Sequence, residues 1–101
     1  MKLEISQSLE FQADAEKQKA WYRQHASAGV SARFGAFLER EMERLAENPG
    51  LGHPRLAKFS EFPDLRVRRL AKPFDRFLIF YRSAAGKLHL ARLKHASQGD
   101  V

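Results

Sequence analysis

The 101 residues predict an α+β fold in the order β-α-α-β-β-β: an N-terminal strand, a two-helix hairpin, then a three-stranded antiparallel meander, with the helices packed on one face of the sheet. Three observations predict it. One long segment has a clear helical period, three short apolar runs follow in quick succession, and a stop signal of Asn48, Pro49 and Gly50 separates the two regions.

Lys2 to Leu9 alternates loosely, with Leu3 and Ile5 on one side and Glu4 and Ser6 on the other, as a first strand does. Residues 12–26 lack Gly and Pro and are rich in helix formers, which predicts a helix with a thin apolar stripe of Ala13, Ala20 and Trp21 interrupted by Lys17. After the break at Ser27-Ala28-Gly29, residues Val30, Phe34, Phe37, Leu38, Met42 and Leu45 fall on one helix face, opposite a charged face of Arg33, Glu39, Arg40, Glu43, Arg44 and Glu47. Proline cannot continue the helix and glycine accepts a left-handed cap, so it ends at Asn48-Pro49-Gly50.

Residues 49–64, with Pro49, Gly50, Gly52, Pro54 and Pro63, read as a connecting loop inside a single domain spanning 1–101. The three apolar runs are Leu65–Leu70, Phe77–Arg82 and Leu88–Leu93, and Ala84 to Lys87 supplies the turn between the last two. The middle run, FLIFYR, has the almost wholly apolar character of a central strand.

Charge is divided unevenly. Residues 1–64 hold nine Lys/Arg against ten Asp/Glu, whereas residues 65–101 hold nine against two, so the net charge of +6 belongs to the C-terminal third. Such a block suits nucleic acid, a ribosome or an acidic protein. The absence of cysteine excludes a disulfide framework or a thiolate metal site and fits a reducing compartment, for which the cytoplasm is the default. MKLEISQSLE carries acidic residues where a signal peptide needs an apolar stretch, and no run approaches the roughly 18 apolar residues of a membrane span, so no membrane association is expected.

On the strand Leu65–Leu70, alternation sends Leu65 and Val67 one way and Arg66 and Arg68 the other. If the helices cover Leu65 and Val67, the two guanidiniums lie on the open face, where some of Arg76, Arg82, Arg92 and Lys94 join them as a basic floor for phosphate or carboxylate groups. The four histidines do not make a metal site. His89 and His95 would lie about 20 Å apart on a continuous strand, while His25 ends a helix and His53 sits in a loop. Ser83, Ser97 and Asp100 are near His95 in sequence, but no G-x-S-x-G elbow activates a serine, and no glycine-rich phosphate loop or dinucleotide fingerprint is present, so no cofactor is implied. Trp21 reads as the anchor of the helix hairpin, and Tyr81 as a strand aromatic.

The order of elements and the local words RLAENPGLG, DLRVRRL, FLIFYR and LHLARLKHASQGD resemble the ParE/RelE toxin superfamily along nearly the whole chain. The resemblance implies the toxin of a type II toxin–antitoxin system, in a hetero-oligomer with a small cognate antitoxin. It carries two mechanisms on one fold: ParE-like members inhibit DNA gyrase, and RelE-like members cut mRNA on the ribosome. By position, Arg66 and Arg92 match family arginines and His95 matches its terminal histidine; these would be the catalytic groups of a nuclease, and with Arg68 the target contacts of either. The nucleases place a tyrosine in the terminal segment, whereas here Ala96, Ser97 and Gln98 follow His95 and no tyrosine lies beyond Tyr81. That departure, and the hairpin followed by N-P-x-x-G, favour gyrase inhibition without an enzymatic activity. The ribosome-dependent endoribonuclease is the alternative, and a plain basic nucleic-acid-binding module is a third class. An antitoxin helix is expected to complete a groove around Ala20, Trp21 and Phe34, with an acidic extended segment along the sheet edge.

Overall fold

The computed structural model describes residues 2–54 and 64–96. Ser8 ends the first strand, β1 (Glu4–Gln7), and starts the first helix, α1 (Leu9–His25): its Oγ accepts the Phe11 N–H at 2.9 Å, satisfying one of the helix's orphan donors. Ser27 does the same for α2 (Ala28–Glu47), with Oγ 3.1 Å from the Val30 amide. Pro49–Leu51 forms a single 3-10 turn, η1, followed by β2 (Arg66–Arg69), β3 (Phe77–Ala84) and β4 (Lys87–His95). Residues 55–63, including Pro63 of the expected loop, lie outside the described residues, as do Ser97, Gln98 and Asp100.

The four strands lie in the order β1-β4-β3-β2, with β1 parallel to β4 and the other pairs antiparallel. This is the expected meander with the first strand added at its edge. Both helices cover one face. Phe11 and Ala15 of α1 and Phe34, Leu38, Met42, Leu45 and Ala46 of α2 bury against Ile79, Tyr81, Leu88, Leu90 and Leu93. Toward one end, Tyr22 and Phe34 pack with Phe74 and Phe77 at centroid separations of 5.1–6.5 Å, as offset and edge-on aromatic pairs prefer. No described helix is long and apolar enough to cross a membrane.

The stripe of α2 is placed as its period predicts, but that of α1 is not. The helix begins at Leu9, and its buried face is Phe11, Ala15 and half-buried Tyr22; Ala13 is exposed. Trp21, one position and about 100° away from Tyr22, is therefore not the hairpin anchor. It is 50% exposed and stacks on His25, with centroids 4.5 Å apart.

The orientation of β2 also differs from expectation. Arg66 stands opposite Tyr81 and Arg68 opposite Ile79, two fully buried residues of the helix-covered face, and Leu70 continues that side into the core. Val67 lies on the other face and is buried there, while its backbone exchanges two hydrogen bonds with His53. Physically, β2 is the outermost strand, and polar partners on the helix-covered side receive its arginines: the Glu41 carboxylate of α2 takes Arg68 and the Gly52 carbonyl takes Arg66.

Between β3 and β4 the turn has two central residues, Ala85 (φ 54°) and Gly86 (φ 78°), both in the left-handed region, as a type I′ hairpin requires. Alanine is strained there, whereas asparagine tolerates it. Ala85→Asn should stabilise the fold by about 0.5–1 kcal/mol, measured as a raised urea midpoint with unchanged slope.

Candidate functional site

Four of the expected site residues converge on one groove. It lies between α1 and the edge of β4, has a volume of about 740 Å³, and is lined by Ala20 and Trp21 from the helix and by Arg92 and His95 from the strand. Lys17, Gln18 and Lys94 complete its polar rim, and Tyr22, Phe77 and Leu93 supply apolar surface. Three cationic side chains, Lys17, Arg92 and Lys94, line it against one carboxylate, Asp14.

β4 has an edge here because β1 stops. Their register ends at Gln7↔Leu90, where Ser8 turns the chain into α1. A bulge follows at once: Tyr81 pairs with Leu90 but Phe80 pairs with Arg92, leaving Ala91 as the extra residue. The bulge shifts the parity of β4, so that Leu93 enters the core and Arg92 stands opposite Phe80 at the strand's free edge. From there its Nε and Nη2 donate to the two Asp14 oxygens at 2.8 and 3.1 Å. The Leu93 amide donates to the same carboxylate at 3.0 Å. Burial opposes ionisation of Asp14, but the hydrogen bonds from Arg92 and Leu93 and the charges of Arg92 and Lys94 outweigh it and hold the carboxyl below its ordinary value. His95 packs its ring edge-on against Phe77, with centroids 5.2 Å apart.

The other expected residues are elsewhere. Phe34 is fully buried beneath the aromatic cluster and presents no surface to a partner. The guanidinium of Arg66 donates to Gly52 O at 2.7 Å, and that of Arg68 to Glu41 Oε2 at 2.9 Å, where Glu41 is only 4% exposed. Neither arginine stands on an open basic floor. The Arg66 side chain lies over the η1 side of the sheet, and those of Arg92 and His95 line the groove on the α1 side, so the three candidate nuclease groups are not assembled around one point. Tyr81 is equally committed, its hydroxyl donating to Pro49 O at 2.6 Å and accepting from Gly52 N at 2.7 Å. Burial pushes its phenol above the ordinary range. Among the described residues no cluster of three His, Asp or Glu side chains is placed to hold a metal ion.

The sequence pattern does not single out Asp14, and Lys17 enters it only as an interruption of the apolar stripe. Their signal was present as the polar and aromatic series Asp14, Lys17, Gln18, Trp21 at helical spacing, a second face of α1 beside the buried one.

The profile of the ParE toxin of type II toxin-antitoxin systems, parDE, matches residues 5–99, which takes in every strand and helix above except the first residue of β1. The chain belongs to the ParE toxin family. A solved structure of the chromosomal ParDE toxin–antitoxin system from P. aeruginosa superposes with a TM-score of 0.75, covering 92% of this chain and 95% of that one at 13% identity. At that identity the likeness to the P. aeruginosa protein is one of fold. No curated protein sequence matches. In this chain the groove is the surface where the sheet edge, an exposed tryptophan and an excess of cations meet.

Proposed function

We propose that this ParE-family toxin acts in the cytoplasm by inhibiting DNA gyrase, and that a cognate antitoxin neutralises it by docking in the groove between α1 and β4. The observation that carries the reading is the division of the basic residues. A nuclease needs cations, a base and an acid converging on one scissile phosphate. Here Arg66 and Arg68 are tied to Gly52 and Glu41 on one side, Arg92 is paired with Asp14 on the other, and Tyr81 is locked beneath η1. That arrangement supports a binding protein over an RNA-cutting one. The groove's exposed Trp21, its strand edge and its cations suit an acidic partner that contributes both a helix and an extended segment.

The purified protein should inhibit gyrase-dependent supercoiling and leave ribosome-bound mRNA uncut. His95→Ala is expected to keep growth arrest within a few-fold of the parent, because the ring supplies a contact and not a proton. Codon-specific mRNA cleavage with gyrase unaffected, abolished by His95→Ala, would reverse the assignment in favour of the endoribonuclease.

A further inference from the structure

β4 runs from Lys87 to His95, yet β1 accompanies it only as far as Leu90. Beyond that pair its outward-facing backbone is met by side chains in place of a strand. Ser8 Oγ donates to Ala91 O at 2.8 Å, and Asp14 Oδ2 accepts the Leu93 N–H. An oxygen at that amide is what a neighbouring strand would supply from its own carbonyl. An incoming strand cannot bond Leu93 in that way while Asp14 holds the position.

We propose that Asp14 is a displaceable latch on the β4 edge, giving way to an extended acidic segment of a protein partner whose backbone carbonyl takes the Leu93 N–H and whose carboxylate takes the Arg92 guanidinium. This deepens, and rests on, the reading of the groove as the antitoxin's docking site. The exchange replaces oxygen by oxygen at Leu93 and carboxylate by carboxylate at Arg92, so it is nearly balanced in hydrogen bonds. In the free protein the latch covers an edge that would otherwise pair with unrelated strands. Charge selects the occupant. Lys17, Arg92 and Lys94 line the groove, and a second copy of this chain would bring like charges together at the same edge.

The test uses the full chain, with Trp21, its sole tryptophan and part of the groove wall, as the fluorescent reporter. The acidic peptide (Glu-Val)5 and its control (Lys-Val)5 are titrated against the parent, Asp14→Ala and the nearly isosteric Asp14→Asn. Asp14→Ala, which removes both the charge and the acceptor, should tighten binding of the acidic peptide on the order of tenfold; Asp14→Asn, which loses the charge but keeps an oxygen for the Leu93 N–H, should tighten it by less. The Leu93 amide of Asp14→Ala should become protected from hydrogen exchange when the peptide binds. Affinity unchanged or weakened in both variants, no binding of the acidic peptide to any of the three proteins, equal binding of the lysine peptide, or dimerisation of Asp14→Ala in place of peptide binding would each overturn the latch. The supercoiling and neutralisation assays are read on the parent protein, so a failed latch leaves their outcome untouched.

Discussion

Replacing Gly52 by alanine is expected to destabilise the fold by about 3 kcal/mol, the upper part of the range for overpacking a filled interior. The backbone at Gly52 is ordinary, with φ −77°, so conformational freedom is not what this position needs. It needs space: a methyl group there would fall 2.7 Å from Tyr81 Cε1 and 2.8 Å from Cζ, and closer still to the hydroxyl. Tyr81 cannot swing away. Its ring is fully buried, and its hydroxyl is held by Pro49 O and Gly52 N. A shift of the Gly52 carbonyl would also disturb the hydrogen bond from Arg66. One substitution thus strains the fastening that Tyr81 makes between η1 and the sheet. Urea denaturation would measure it, and Tyr81→Phe supplies the cross-check. Phenylalanine should itself cost about 2 kcal/mol, because the Gly52 amide and Pro49 carbonyl lose their partner. The double variant should lose less than the sum, since removing the hydroxyl makes room for the methyl. Full additivity, or an alanine variant as stable as the parent, would show that η1 is not fastened this way.

The same residues show what the sequence made legible. NPGLG announces that α2 stops, and FLIFYR announces a central strand, because proline, glycine and uninterrupted apolar residues act through local backbone and burial rules. No local rule shows that the tyrosine of one word reaches back to the glycine of the other. That contact spans 29 residues and depends on which face of β3 the helices cover.

The mistaken orientation of β2 has the same origin. Alternation divides Leu65–Leu70 into two faces but does not say which is inside. Leu65 and Val67 form the more apolar side of the segment, yet Leu70 shares its parity with Arg66 and Arg68 and is the residue that enters the core. A signal existed in α2. Phe34, Leu38, Glu41 and Leu45 lie at helical spacing on one stripe, and a carboxylate within an apolar stripe calls for a cation from the opposing layer. Arg68 is that cation. On α1 the difference begins at the N-terminus: the alternation through Leu9 masks Ser8 as the cap, and a helix counted from residue 12 omits Phe11, the fully buried member of its inner face. Without Phe11, Trp21 is the largest apolar side chain of the expected stripe.

The largest functional effect is expected from the groove, in the pair Trp21→Ala and Lys94→Glu. Both side chains line the opening between α1 and β4 without belonging to the buried core, so the toxin should keep its fold, checked by circular dichroism. A half-exposed tryptophan in a groove has the character of an interface anchor, and truncating such a residue weakens binding by about 2 kcal/mol or more. Reversing Lys94 sets a carboxylate against an acidic partner, with a penalty of similar size that shrinks as salt rises. Together they should weaken neutralisation about a thousandfold, equivalent to about 4 kcal/mol. Co-expression with the product of the adjoining reading frame should rescue cells carrying the parent toxin and fail to rescue cells carrying the double variant. The variant's toxicity when expressed alone separates the possible meanings. If it arrests growth and escapes neutralisation, the groove belongs to the antitoxin. If it is harmless alone, the groove contacts the target instead. Complete neutralisation of a variant that remains toxic would place the antitoxin elsewhere on the molecule, and the docking assignment would fall.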